Sequence, residues 1–121
     1  KYEKWQFDEL PILPEAWKLK VSKDKKKQCD VLKVLMNRND VEYLVNGCDA
    51  GREGELIFQR VYDLAGCRKP VKRLWIRSME DAAIQKGFQT MKSEEEYKNL
   101  CMAAVCRAQA DWLIGMNGTR A

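Results

Sequence analysis

The chain has 121 residues and a formal net charge of +4, with 45% hydrophobic and 33% charged residues. A chain of this length buries one modest core, which predicts a single domain with a trailing helix. No apolar run reaches the length of a membrane-spanning helix, which argues against a membrane protein. The five cysteines form no Cys-x-x-Cys pair and histidine is absent, which argues against a zinc site and favours reduced thiols.

The first third of the chain predicts a loop, a strand and a helix. Pro11 and Pro14 interrupt the opening segment, and residues 17–21 alternate between apolar and polar side chains as a short strand does. Ser22 or Asp24 is then placed to cap a helix. The apolar residues of that helix are Val31, Leu32, Leu35 and Met36.

The middle of the chain predicts two more strands separated by a helix. Residues 41–46 are rich in β-branched and aromatic side chains, which is typical of a strand. Residues 55–64 carry apolar side chains at helical spacing, and Gly66 is placed to end that helix. Residues 71–76 follow a proline and predict the third strand. Alternating strands and helices predict an α/β fold with a mostly parallel sheet.

Two helices are predicted in the last third. Ser78 or Glu80 begins the first of them. Ser93, followed three residues later by Glu96, has the form of a capping box and predicts the start of the last helix. One face of that helix carries Cys101, Val105, Ala108 and Trp112, a pattern that predicts a buried face.

Carboxylates, an arginine and glycines are concentrated between the second predicted strand and its helix. Asp49 and Glu53 would project oxygens at the carboxyl end of a strand, where Mg²⁺ and phosphate ligands bind in α/β sheets. Gly51 and Gly54 would let the backbone approach a ligand closely, and Arg52 could grip a phosphate with two N–H groups. A capped turn without a ligand is the alternative, because acids at a helix N-terminus are stabilising by themselves. The residues alone leave both interpretations open.

Three segments together resemble the type IA DNA topoisomerases, specifically the topoisomerase III branch of bacteria and mobile elements. Residues 49–57 are similar to the acidic motif of the family's Toprim domain, and residues 73–80 fall where the family has its next strand and turn. Residues 107–117 resemble the helix that opens the following DNA-binding domain. The resemblance implies a partial Toprim domain over residues 1–92, lacking its first strand, and the start of a helical DNA-binding domain over residues 93–121.

The resemblance implies a Toprim-like, Rossmann-like fold and a defined activity. Such enzymes cleave one DNA strand through a phosphotyrosine intermediate, pass another strand and reseal the first, with Mg²⁺ and without ATP. The implied partner is single-stranded DNA, or DNA with single-stranded regions, and the implied state is a monomer in the bacterial cytoplasm, associated with the nucleoid or a mobile element. The alternative is a Toprim-type primase, nuclease or non-catalytic nucleic-acid-binding module. The motif at residues 107–117 favours the topoisomerase.

Carried over to this sequence, the family's acidic motif assigns roles to individual residues. Asp49 and Glu53 match two of its metal-binding acids, and Glu53 and Arg52 are the catalytic candidates, with Arg52 near the scissile phosphate. The common family pattern is Asp-x-Asp-x-Glu, and this chain has Gly51 in place of the second aspartate. Glu55 is a candidate for the missing third metal ligand.

The candidate DNA contacts lie on other elements. Arg107 and Asp111 match an arginine and an aspartate of the family's single-strand groove, although their spacing alone equally predicts a surface ion pair. Arg73 and Arg77 flank the end of the third strand and are predicted to contact DNA. The lysine-rich residues 18–27 are more simply a solvated surface.

The family's nucleophilic tyrosine has no counterpart in this sequence. Tyr2, Tyr43, Tyr62 and Tyr97 all lack the surrounding residues expected of it. The family's proton-shuttling glutamate, on the first Toprim strand, also has no match. The sequence therefore predicts a piece of a larger protein that is inactive in isolation.

Overall fold

A computed structural model describes residues 3–121 as a small three-stranded sheet flanked by helices. This confirms the predicted α/β class with a C-terminal helix. Short 3₁₀ turns lie at Phe7–Glu9, Lys23–Lys25 and Glu94–Tyr97. The regular elements are α1 (Lys26–Met36), β1 (Leu44–Asn46), α2 (Arg52–Ala65), β2 (Val71–Arg73), α3 (Asp81–Gln89), β3 (Lys92–Ser93) and α4 (Lys98–Gly118). Within residues 3–121, no helix has the length and apolarity needed to cross a bilayer.

The sheet has the order β1-β2-β3 and is mixed. β1 and β2 are parallel, with Asn46 opposite Arg73, so their carboxyl ends lie at the same edge. β3 runs antiparallel to β2, with Lys92 opposite Arg73. Of the three predicted strands, those at residues 41–46 and 71–76 are present but shorter than expected, and β3 was not predicted. The domain boundary predicted between residues 92 and 93 stays a prediction; in the structure it falls inside β3.

The strand predicted at residues 17–21 is wrong, because this segment pairs with no other strand. A strand needs a neighbouring sheet edge for its backbone hydrogen bonds, and alternation of side chains does not provide one. The segment instead lies against α4, where the rings of Trp17 and Trp112 meet edge to face at 5.2 Å between centroids. This contact places Trp112 in packing.

The small apolar core lies where α1, α2 and β1 meet. Its buried members are Met36, Ala65 and Cys67, with Leu32, Leu44, Val61 and Tyr62 packed against them. Gly66 ends α2 as predicted and has a left-handed conformation, with φ of 62°. Its N–H donates to the carbonyl oxygen of Asp63 at 3.1 Å.

The N-terminal segment is fixed to the end of α4 by one side chain. The N–H of Ile12 donates to Oδ1 of Asn117 at 2.6 Å, and Nδ2 of Asn117 donates to the carbonyl oxygen of Ile12 at 3.0 Å. Ile12 itself is buried. The two ends of the described chain are therefore held together by a paired backbone–amide contact that resembles a β-bridge.

Candidate functional site

The acidic turn, residues 47–53, comprises the loop after β1 and the first two residues of α2. It lies at the sheet edge formed by the carboxyl ends of β1 and β2. The side chains of Asp49, Arg52 and Glu53 are all exposed there. Backbone N–H groups at the N-terminus of a helix attract anions. The acidic turn therefore presents two carboxylates, one guanidinium and a helix end to the solvent.

Gly54 allows α2 to begin directly against the acidic turn. A Cβ atom at this position would lie 2.0 Å from the carbonyl oxygen of Asp49, closer than any side chain tolerates. The close approach predicted for Gly54 is therefore made with the turn itself and not with a ligand. Gly51 is different, because its φ of 165° is extended backbone that any residue adopts and a Cβ there would meet nothing within 4 Å.

Arg73 lies beneath the acidic turn, with its side chain fully buried. Its Nε donates to Oε1 of Glu55, and the two form a buried ion pair. The remaining guanidinium N–H groups bind backbone carbonyl oxygens, those of Asn46 (3.0 Å), Cys48 (2.6 Å), Leu74 (3.1 Å) and Asp49 (2.7 Å). One side chain of β2 thus fixes the path of the backbone from the end of β1 into the acidic turn.

Two predicted site residues are corrected by this arrangement. Arg73 was predicted to contact DNA, but a buried guanidinium that binds four carbonyl groups and a carboxylate has no surface to offer. Glu55 was predicted to bind metal, but it is 1% exposed and one of its oxygens is held by Arg73. Charged side chains are usually exposed, but this tendency fails where two opposite charges neutralise each other in the interior.

The structure does not gather a complete set of metal ligands. Among residues 3–121, no three Asp, Glu or Cys side chains come close enough together to hold a metal ion. With Glu55 withdrawn into the interior, the acids that remain at the turn are Asp49 and Glu53. Two carboxylates suit Mg²⁺ chemically but leave most of its octahedral shell open. The predicted three-carboxylate site therefore does not fit, and water or phosphate oxygens would have to complete a two-carboxylate site.

Asn46 and Glu94 belong to the same buried cluster, and neither was predicted as a site residue. Nδ2 of Asn46 donates to Oε1 of Glu94 at 3.0 Å and lies 3.5 Å from Oε2 of Glu55. Oδ1 of Asn46 accepts from the N–H of Cys48 at 3.1 Å. An asparagine at the end of a predicted strand, just before a glycine, was the available signal for Asn46. Glu94 had none, because it was assigned to a helix cap.

The buried cluster perturbs the acid–base behaviour of its members. Burial raises the pKa of Glu55 to about 7, and a hydrogen bond with Glu94 and that residue's charge act in the same direction, while Arg73 opposes them. Burial also raises the pKa of the Cys48 thiol, which argues against a reactive thiolate beside the turn. The Glu55 carboxyl therefore keeps its proton to a higher pH than an exposed glutamate does.

The remaining predicted DNA contacts lie on the surface of other elements. Arg77 is exposed, and its guanidinium carbon is 5.8 Å from the centre of the Trp75 ring. On α4, Nε of Arg107 is 3.7 Å from Oδ2 of Asp111, and both side chains are more than half exposed. All three remain accessible to a ligand, and their roles in DNA binding stay predictions.

Basic residues are concentrated around β2, and several of them are engaged in local contacts; they are Arg68, Lys69, Lys72, Arg73 and Arg77. Nζ of Lys69 donates to the carbonyl oxygen of Arg38, and Lys72 lies over the ring of Tyr43 at 4.4 Å. Arg73 points inward. Arg77, four residues beyond Arg73, is exposed to solvent.

Sequence comparison finds similar proteins over the whole chain. The chain is 48% identical over all 121 residues to DNA topoisomerase 3 of Bacillus subtilis (strain 168). It is 47% identical over the same length to the proteins of that name from Shouchella clausii (strain KSM-K16) and Bacillus anthracis. Over its whole length the chain is thus similar to one segment of these DNA topoisomerase 3 proteins. It spans 17% of the length of these curated relatives. No protein-family model matches it.

Proposed function

We propose that the chain is a segment of a type IA DNA topoisomerase that cleaves, passes and reseals single DNA strands through a phosphotyrosine intermediate, without ATP. The observation that carries the proposal is the 47–48% identity to DNA topoisomerase 3 over the whole chain. The exposed positions of Asp49, Arg52 and Glu53 on one turn support it, because a phosphodiester group fits a guanidinium beside a helix N-terminus.

In this proposal the acidic turn receives the phosphate backbone of DNA. Arg52 donates N–H groups to a phosphate near the scissile bond, next to the N-terminus of α2. Asp49 and Glu53 hold a Mg²⁺ ion together with water or phosphate oxygens, since two carboxylates are a common protein contribution to such a site. When bound, the ion would neutralise phosphate charge. Glu55 and Arg73 take no part in contacting metal or DNA.

Exposed basic residues that follow β2 or lie on α4 are proposed to bind the DNA strand away from the reaction. Arg107 binds a phosphate and Asp111 orients the guanidinium, an arrangement supported by their 3.7 Å separation. A surface ion pair of this kind contributes only about 0.3–0.5 kcal/mol to folding. Separating Arg107 from Asp111 to bind a phosphate therefore has a small free-energy cost. Arg77 is the proposed contact at the sheet edge.

The nucleophile is proposed to come from another part of the full-length protein. The hydroxyl of Tyr62 donates to the carbonyl oxygen of Lys69 at 2.9 Å, and Tyr97 stacks on Trp75 at 5.1 Å. Tyr43 lies beneath the ammonium group of Lys72. Each tyrosine among residues 3–121 is thus engaged in local packing, which supports the expectation that the isolated segment neither cleaves nor relaxes DNA.

The test is relaxation of negatively supercoiled plasmid by the full-length protein that carries this segment, with Mg²⁺ and without ATP. We expect relaxation by the wild type and a loss of about tenfold or more in Asp49→Asn and in Glu53→Gln, which corresponds to at least about 1.4 kcal/mol of barrier. Glu42→Gln removes an exposed acid at the opposite end of β1 and should leave the rate unchanged. Cleavage without resealing, or equal rates in all variants, would contradict the proposal.

A further inference from the structure

Glu94 reaches the underside of the acidic turn from the segment that leads into α4. Pairing of β3 with β2 brings this segment beside Arg73, because Lys92 is the partner of Arg73 in the sheet. Oγ of Ser93 then accepts from the N–H of Glu95 at 3.4 Å and starts the 3₁₀ turn at Glu94–Tyr97. The side chain of Glu94 consequently points inward while those of its two neighbours, Glu95 and Glu96, are exposed.

The carboxylate of Glu94 fixes the orientation of the Asn46 amide. Oε1 of Glu94 accepts from Nδ2 of Asn46 at 3.0 Å, a much better hydrogen bond than the 3.5 Å contact of that nitrogen with Glu55. With Nδ2 held in this way, Oδ1 of Asn46 faces the N–H of Cys48 and accepts from it. The hydrogen bonds therefore run from Glu94 through Asn46 into the backbone of the acidic turn.

An aromatic contact holds the same segment in place independently. The rings of Trp75 and Tyr97 stack with a centroid distance of 5.1 Å and an interplanar angle of 22°. The guanidinium carbon of Arg73 lies 5.0 Å from the centre of the Trp75 ring. The start of α4 is thus attached to β2 by stacking, by strand pairing and by the polar contacts of Glu94.

We propose that Glu94 is a positioning residue that keeps the acidic turn and the N-terminal end of α4 in one fixed arrangement. The inference rests on the proposed function, in which the acidic turn and Arg107 of α4 act on the same DNA strand. Without the Glu94 carboxylate, Nδ2 of Asn46 keeps only its long contact with Glu55, so the amide is free to turn. The N–H of Cys48 then loses a defined partner, and the acidic turn loosens.

The second oxygen of Glu94 explains which substitution should be tolerated. Oε2 is buried and receives no N–H hydrogen bond within residues 3–121, and the carboxyl group that shares a hydrogen bond with Glu94 is that of Glu55. Glutamine keeps the acceptor for Asn46 and places N–H groups where this oxygen lies, beside the Glu55 carboxylate. Glu94→Gln should therefore preserve the arrangement. Glu94→Asp shortens the side chain by one methylene and should weaken it, and Glu94→Ala should remove it.

Hydrogen exchange of the full-length protein tests the proposal without depending on activity or metal. In Glu94→Ala, amides of residues 47–54 should exchange at least about tenfold faster, whereas those of α1 should be unchanged. Glu94→Gln and the exposed control Glu95→Ala should match the wild type. Unchanged exchange at residues 47–54 would overturn the proposal, and so would an equal increase in α1, which indicates global destabilisation. If the alanine variant does not fold, Glu94→Asp is judged by the same criterion.

A kinetic readout separates positioning from a loss of folded enzyme and from failure of the proposed function. In plasmid relaxation, Glu94→Ala should lower kcat by about tenfold while the KM for DNA stays within about twofold, because misplacement of reacting groups slows the reaction itself. Rescue by Glu94→Gln is expected. A wild type that relaxes no DNA would refute the proposed function, whereas the exchange experiment would still decide the role of Glu94. A wild-type kcat in Glu94→Ala would overturn the positioning role.

Discussion

Replacing Arg73 by methionine should destabilise the chain more than any single surface change. Methionine keeps much of the length and apolar bulk of the side chain but removes the guanidinium. Glu55 then remains buried without its counter-charge, and the carbonyl groups of the acidic turn lose their donor. The Glu55 carboxylate and these carbonyl groups cannot move to find other partners, because the backbone of β1 and α2 holds them in place. The folded state therefore loses the ion pair and the hydrogen bonds together.

The contacts of Arg73 determine how far the free energy of unfolding should fall in Arg73→Met. It makes one buried ion pair and four hydrogen bonds to carbonyl oxygens. Breaking a buried ion pair by removing one partner typically destabilises by about 3–5 kcal/mol. Simple addition of the four hydrogen bonds would overestimate the total, because the carbonyl oxygen of Asn46 also accepts from the N–H of Leu74 at 3.0 Å. We therefore expect a decrease of about 3–5 kcal/mol in the free energy of unfolding.

The loss of stability in Arg73→Met should depend on pH. Arg73 lowers the pKa of Glu55, and without it the pKa rises further above about 7. The folded variant must then bind a proton that the unfolded chain does not hold, so the penalty grows as the pH rises. Urea denaturation of the full chain, followed by circular dichroism, should give a larger difference from the wild type at pH 8 than at pH 6.

Two variants control this experiment. Arg77→Met removes an exposed arginine of the same segment and should change the free energy of unfolding by less than about 0.5 kcal/mol. Adding Glu55→Gln to Arg73→Met should recover part of the loss, since the uncompensated charge is gone. Equal stability of the Arg73 and Arg77 variants, or an Arg73 penalty independent of pH, would refute the reasoning.

Three further outcomes are expected from urea denaturation of the full chain. Gly54→Ala should destabilise by about 1–3 kcal/mol because its Cβ meets backbone, whereas Gly47→Ala should not, and equal midpoints would contradict this. The raised pKa of Glu55 means that the folded chain holds a proton which the unfolded chain has released, so stability should fall as the pH rises from about 5 to 7. Glu55→Gln should remove this fall, which totals up to about 3 kcal/mol over that range, and an unchanged pH dependence would exclude the shift. Asn117→Ala should destabilise by about 1–3 kcal/mol and speed hydrogen exchange of the Ile12 amide. Asn117→Asp keeps the acceptor and should still protect that amide from exchange.

The sequence predicted correctly those features that depend on neighbouring residues alone, such as the end of a helix. Gly66 marks the end of α2 because its left-handed conformation is a property of one residue. The strand at residues 17–21 failed because pairing is a property of two segments, and only the fold reveals whether a partner edge exists. β3 was missed for the same reason, since two residues with charged and polar side chains pair with β2 through their backbone.

The exposed part of the candidate site was readable from the sequence, and its buried support was not. Asp49, Arg52 and Glu53 stand on a strand-to-helix turn, as the pattern of glycines and acids predicts. Arg73 and Glu55 carry the same charges as these residues, and nothing in local sequence distinguishes a charge that faces solvent from one that is neutralised inside. That distinction requires the register of β1 and β2, which places Asn46 beside Arg73.

The burial of Arg73 and Glu55 is best explained by what it does to the backbone. A buried ion pair is a weak source of stability, because desolvation offsets most of the attraction, and apolar residues of similar volume often serve as well. Apolar side chains, however, cannot bind the carbonyl groups of the acidic turn or set the orientation of an amide. Arg73 binds the turn directly, and Glu94 does so through Asn46. The polar cluster therefore specifies where Asp49 and Glu53 stand, and it draws its members from both sides of the boundary predicted at residues 92–93. If Asp49 and Glu53 act on DNA, the segment that leads into α4 helps to position them through Glu94.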